Sequence, residues 1–192
     1  MHSPKTQAEE TLRLALVVEG GLAVLALAGA WLFRIPLATM LPRGEALGQA
    51  IITGLGAVVP LLVLYAVLQK VSWRPIVRLR RQVLRLVRLL FADARVWQLA
   101  LVSILAGVGE ELAFRGVLQP LLIRWTGVVV GIGLTSLLFG LGHALSRTYL
   151  VLATLIGLFF GLLSYKTDEI ASSIVAHALY DFVVLMWLLR RR

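Results

Sequence analysis

The chain contains no cysteine. Disulfides, a thiolate nucleophile and a cysteine-ligated zinc site are therefore excluded, and nothing marks a redox compartment. Charge is also scarce, at 15% of residues, and lopsided: 10 acidic side chains stand against 19 lysines and arginines, a formal net charge of +9. There is no phosphate-cradling glycine loop, no nucleophile elbow, no HExxH zinc motif, no internal repeat and no low-complexity linker. The basic surplus lacks the interleaved aromatic side chains of a single-strand binder, so it does not imply nucleic acid as a partner.

Apolar sequence is what the chain has in excess. Hydrophobic residues make up 59% of it and the mean hydropathy is +0.90, against roughly 45–50% apolar residues in soluble domains. A membrane-crossing helix needs about 20 mostly apolar residues. Six runs are candidates: 12–33, 47–68, 96–123, 128–144, 148–165 and 170–189. The expected fold class is thus all-α, a polytopic membrane helix bundle of about six transmembrane helices. The first run is too long for the usual apolar core of a signal peptide, and no convincing small-residue cleavage site follows it before Trp31 and Arg34.

The arginines are distributed as a membrane would sort them. Lys70, Arg74, Arg78, Arg80, Arg81, Arg85, Arg88 and Arg95 fall between the second and third runs, Arg147 lies between the fourth and fifth, and Arg190 to Arg192 close the chain. With both termini cytoplasmic, all three sites lie on the positive-inside face. Within the first of them, residues 75–91 place Val77, Leu84, Leu86, Val87 and Leu90 among arginines at helical spacing, with Pro75 at an early helical position. This predicts a basic amphipathic helix on the cytoplasmic surface, in contact with membrane lipids. The chain divides into residues 1–95, two spans plus this interfacial helix, and residues 96–192, a core of four spans.

That core holds ionisable residues at membrane depth, where each costs about 2.5–3.5 kcal/mol on insertion scales and a functional site is the default reading. Glu111 and Arg115 are four apart and can pair on one helix face. Glu110, turned about 100° away, has no partner on its own span and suits a general base. Phe139 and His143 form a second pair at that spacing, and His177 and Asp181 a third. Asp181 can accept from His177 and fix its tautomer. Glu19, Gln49 and Gln69 stand alone and read as interfacial or interhelical contacts, with Glu19 able to reach the bundle interior. Gly107, Gly109, Gly131, Gly133, Gly157 and Gly161 read as sites of close helix approach.

Taken in order, Glu110-Glu111-x-x-x-Arg115, Phe139-x-x-x-His143 and His177-x-x-x-Asp181 resemble the three motifs of the CPBP family. That family groups type II CAAX prenyl proteases with bacteriocin-processing and self-immunity proteins, often labelled Abi. The resemblance covers about residues 97–190. It implies an intramembrane endopeptidase in which Glu110 activates water, His143 positions water or stabilises charge, and His177, supported by Asp181, donates to the oxyanion. Glu111, Arg115 and Phe139 would support the site. The prenyl proteases resemble HxxxN at the third motif where this chain has Asp181, and an ionised aspartate cannot donate to an oxyanion.

Metal involvement stays open at this stage. Glu110, His143 and His177 could ligate Zn²⁺, although the favoured reading is a glutamate-activated water with no cofactor required. The expected partner is a membrane-associated peptide or protein substrate. The arginine bias and short length favour a prokaryotic plasma membrane, while oligomeric state leaves no trace in the sequence. Other classes remain: a catalytically silent membrane scaffold or bacteriocin self-immunity factor, or a small proton-coupled carrier using the same residues as a relay.

Overall fold

A computed structural model describes residues 4–190. Helix α1 spans Pro4–Leu32, and a 3₁₀ turn at Leu37–Met40 leads into α2, Glu45–Lys70. Next come α3, Arg74–Phe91, and α4, Val96–Glu111. A π-helical turn at Leu112–Leu118 carries α4 without a break into α5, Gln119–Thr126. The chain is completed by α6, Val128–Gly142, α7, Arg147–Thr167, and α8, Ala171–Arg190. No strand occurs among the described residues.

Length and composition decide which helices can cross a bilayer unaided. Four segments qualify: Glu9–Leu32, Glu45–Lys70, Arg147–Thr167 and Ala171–Arg190, of 24, 26, 21 and 20 residues. The α4–α5 run qualifies only together with α3, to which it is bent by 115°. Helix α6 is apolar but has 15 residues, about 22 Å of helix against a hydrocarbon core of about 30 Å. The protein is an integral membrane helix bundle with four or five full-length span candidates, and α6 is a shorter element packed among them.

Helix α3 meets the amphipathic expectation for residues 75–91. Ile76, Leu79 and Val87 are buried, while Arg78, Arg81, Arg85 and Arg88 are exposed. Arg80 turns back to donate from Nη2 to the Val71 carbonyl at 3.0 Å and from Nη1 to the Gln69 carbonyl. It thereby satisfies acceptors that the end of α2 leaves open.

Helix α8 lies between α2 and α4, α1 covers another face of α4, and α7 packs along α6. Small residues set the approach. A Cβ at Gly107 would stand 3.0 Å from the Ala178 Cβ, and one at Gly131 would stand 2.6 Å from the Ile123 amide nitrogen. Gly133 differs from the expectation of close approach: no atom lies within 4 Å of the position its Cβ would take.

Candidate active site

The π-helical turn positions the first part of the site. It lies directly before Pro120, which has no amide hydrogen and whose ring crowds the carbonyl four residues back, at Gly116. The Gln119 amide bonds instead to the Phe114 carbonyl, five residues back. Such turns recur at functional sites because they rotate the side chains that follow them. Here the turn carries Arg115, which is fully buried, as is Glu111 just before it.

Arg115 Nη1 donates to Glu111 Oε1 at 3.1 Å, and Nη2 donates to the Gly157 carbonyl on α7 at 2.9 Å. The guanidinium also lies 4.5 Å from the Phe139 ring centre, over its face, where the ring quadrupole favours a cation. One turn on, Gln119 Nε2 repeats the reach to α7, donating to the Gly161 carbonyl at 3.0 Å. The side chains of Arg115 and Gln119 thus cross-link the α4–α5 run to α7 at successive turns. Gly157 and Gly161 leave their carbonyls accessible at those crossings: a Cβ at Gly161 would stand 2.7 Å from Gln119 Oε1.

Two carboxylate–imidazole pairs stand side by side. His177 Nδ1 donates to Glu111 Oε1 at 2.9 Å, and its ring stacks on Phe160 at 5.0 Å and 15°. With Nδ1 so engaged, Nε2 faces Asp181 Oδ2 at 3.6 Å. The carboxylate that orients the ring of His177 through Nδ1 is therefore Glu111, reached from another helix. The sequence spacing pointed to Asp181 for that task. Asp181 instead stands at the opposite ring nitrogen.

His143 lies beside Phe139, as the four-residue spacing predicts, although the helix ends before it. It follows the last residue of α6 with φ −104° and ψ 10°. Its ring folds back so that Nδ1 donates to the Phe139 carbonyl at 2.8 Å and the two rings stack at 4.5 Å. This leaves Nε2 facing Glu110 Oε2 at 3.5 Å. A lone pair on each of these two atoms would repel, so the arrangement calls for one proton between them, held by either. Glu110, without a partner on its own helix, thus has one from α6.

An apolar cavity of about 630 Å³ opens beside this cluster. Leu64 and Leu68 of α2, Ile76, Leu79 and Leu84 of α3, and Val184 of α8 contribute to its wall. Asp181, Tyr149 and Tyr180 provide polar atoms along it, and Arg80 and Arg81 come from α3. Of the residues singled out in the three motifs, Asp181 alone lines it. The Tyr149 ring meets His143 edge-on at 6.4 Å. Neither tyrosine carried a sequence signal, and neither did Gln119 or Phe160, because all four join the site through contacts between helices.

The donor set proposed for zinc does not fit as arranged. Among the described residues no three His, Asp or Glu side chains group around one point as a metal requires. His143 and His177 each use one ring nitrogen on the protein and turn the other to a different carboxylate.

Residues 92–183 match the family model described as type II CAAX prenyl endopeptidase Rce1-like. No curated protein and no solved structure matches the chain. The matched stretch contains Glu110, Glu111, Arg115, Phe139, His143, His177 and Asp181, the residues drawn together above. The match supports a CAAX-type protease, an endopeptidase with a peptide or protein substrate in the membrane. Over residues 92–183 the chain is thus similar to an Rce1-like type II CAAX prenyl endopeptidase domain, of the CPBP family.

Proposed function

We propose that the protein hydrolyses a peptide bond of a membrane-associated substrate by a water that Glu110 activates. The observation that carries this reading is the placement of two carboxylate–imidazole pairs beside one apolar cavity. Glu110, paired with His143, takes a proton from water as its oxygen attacks the scissile carbonyl carbon. His177, as an imidazolium held between Glu111 at Nδ1–H and Asp181, presents Nε2–H to the developing oxyanion. A donor preorganised in this way is worth about 3–4 kcal/mol in a water-excluded site. The carbon–nitrogen bond then breaks, and the proton held by Glu110 and His143 passes to the leaving amine. No step is assigned to a metal. Arg115 holds Glu111 in place, and Asp181 faces His177 Nε2 from the cavity side.

The cavity wall formed by α2 and α3 fits a substrate with a long apolar group next to the bond that is cut. Residues 1–95 would thus contribute substrate binding, and 96–192 the chemistry. The arginine surface of α3 agrees with a cytoplasmic face and cytoplasmic termini in a prokaryotic plasma membrane. The chain has no native cysteine, so single cysteines introduced in α3 and after Arg190 report sidedness directly. Both should label from the cytoplasm.

The deciding experiment uses the full chain in detergent with two internally quenched peptides, a farnesylated CAAX peptide and its unprenylated twin. Cleavage by the wild type and none by Glu110→Gln is the expected result. Equal cleavage by both proteins would remove Glu110 from the chemistry, and a folded wild type inert on both peptides would favour the silent scaffold. A preference for the farnesylated peptide identifies the apolar group; cutting of both alike points to an apolar peptide segment.

A further inference from the structure

Helix α1 lies outside the matched domain, yet it packs along α4. At the centre of that contact is Gly109, the residue before Glu110: a Cβ there would stand 2.7 Å from the Glu19 carbonyl oxygen and 3.2 Å from Glu19 Oε2. Helix α1 thus approaches α4 closely where the side chain of Glu19 emerges, one residue from Glu110. Glu19 Oε2 is buried without a hydrogen-bond partner. Glu110, His177, His143 and Asp181, four members of the candidate site, are among the ionisable groups near this carboxylate.

A carboxylate in this position does not serve stability. At membrane depth it is costly, and here it stands near two further carboxylates with an acceptor atom that no protein donor uses. A water molecule has two hydrogens, and a general base removes one. If the other is not held, the oxygen lone pair is free to swing away from the carbonyl carbon.

We propose that Glu19 is a second acceptor for the attacking water, holding through Oε2 the hydrogen that Glu110 does not take. This inference rests on the peptidase reading above. One water hydrogen passes to Glu110 while the other stays on oxygen, bonded to Glu19. The oxygen forms its bond to the carbonyl carbon, the carbon–nitrogen electron pair leaves with nitrogen, and the proton from Glu110 completes the amine. Glu19 ends the cycle unchanged. The reacting water is thereby placed between α1 and α4, so the N-terminal half supplies an active-site group that the matched domain lacks.

The test uses the full chain and whichever of the two quenched peptides the wild type cuts. Glu19→Leu removes the acceptor, whereas Glu19→Gln keeps an acceptor oxygen. The expected order of kcat is wild type, then Gln, then Leu, with Leu lower by between about tenfold and a hundredfold and KM within about twofold. A packing role would lower thermal stability in both variants and leave kcat alone. Should Glu19→Leu not fold, Glu19→Gln is compared alone and in a Glu110→Gln background by thermal unfolding. Each single substitution should raise the Tm by relieving like charge, and the double variant should gain less than their sum. Wild-type kcat in the folded variants, or strictly additive Tm shifts, overturns the proposal. An inert wild type would instead defeat the peptidase reading itself.

Discussion

His177 Nδ1 stands 2.9 Å from Glu111 Oε1, joining α8 to α4 across 66 positions of sequence. The same oxygen accepts from Arg115 at 3.1 Å. One carboxylate oxygen therefore ties the orientation of the candidate oxyanion donor to the charge of a fully buried arginine. In the proposed mechanism the second glutamate of the motif acts through the imidazole it holds.

Arg115→Ala should destabilise the protein by about 3–5 kcal/mol, the cost of leaving a buried charge without its partner. Thermal unfolding in detergent measures it. Glu110→Gln, by contrast, should leave the unfolding temperature close to wild type or higher while abolishing cleavage. An Arg115→Ala protein as stable as wild type would show that the ion pair carries no net weight.

Glu111→Gln keeps an acceptor oxygen for His177 but loses the charge facing Arg115. Cleavage should fall at least about tenfold while peptide KM changes little, because the oxyanion donor loses its fixed orientation. A rise in KM with kcat unchanged would move Glu111 from the chemistry to substrate binding.

Asp181 faces His177 Nε2 at 3.6 Å from the cavity side. Asp181→Asn should retain measurable peptidase activity, since an amide can occupy the same place and adds a hydrogen-bond donor for the oxyanion. Complete loss would mean that the negative charge itself is required, as in a proton relay.

Exhaustive chelation of the purified protein should leave peptidase activity intact, with zinc below one equivalent. Loss on chelation and recovery when zinc returns would require Glu110, His143 and His177 to regroup around an ion. A parallel measurement of Tm detects such regrouping even where no peptide is cut.

Two glycines offer a packing control. Gly131→Ala brings a methyl group to within 2.6 Å of the Ile123 backbone and should cost about 1–3 kcal/mol, as overpacking does. Gly133→Ala meets nothing within 4 Å and should stabilise α6 by about 0.5–1 kcal/mol. The two unfolding temperatures should move in opposite directions.

Features contained within one helix were legible in the sequence. The apolar runs, the arginine-studded α3 and the Glu111–Arg115 pair all follow from periodicity, because residues four apart share a face whatever the helix packs against. Contacts between helices were not. The spacing of His177 and Asp181 placed the orienting carboxylate on α8, whereas the hydrogen bond comes from Glu111 on α4. The spacing of Phe139 and His143 assumed a continuing helix, but α6 ends at Gly142 and His143 folds back to meet Glu110. Glu19 carried the weakest signal, a lone acid in an apolar run, since its neighbours come from the far end of the packing. Pro120 was visible, but the π-helical turn before it was not read from it.

The packing of α1 on α4 and of α2 on α8 has a consequence for how the chain can be divided. Helices α4 and α8, which carry Glu110, Glu111 and His177, are sheathed by the N-terminal half: Ser172 Oγ donates to the Ala50 carbonyl at 3.2 Å, and Gly54 admits Ser172 and Val175 where a Cβ would stand 2.7 Å from each. A chain begun at residue 92 would keep every motif residue yet expose polar backbone and small-residue faces to lipid. The matched stretch is thus shorter than the packed bundle, and adding residues 1–91 as a separate polypeptide should restore the missing half by association.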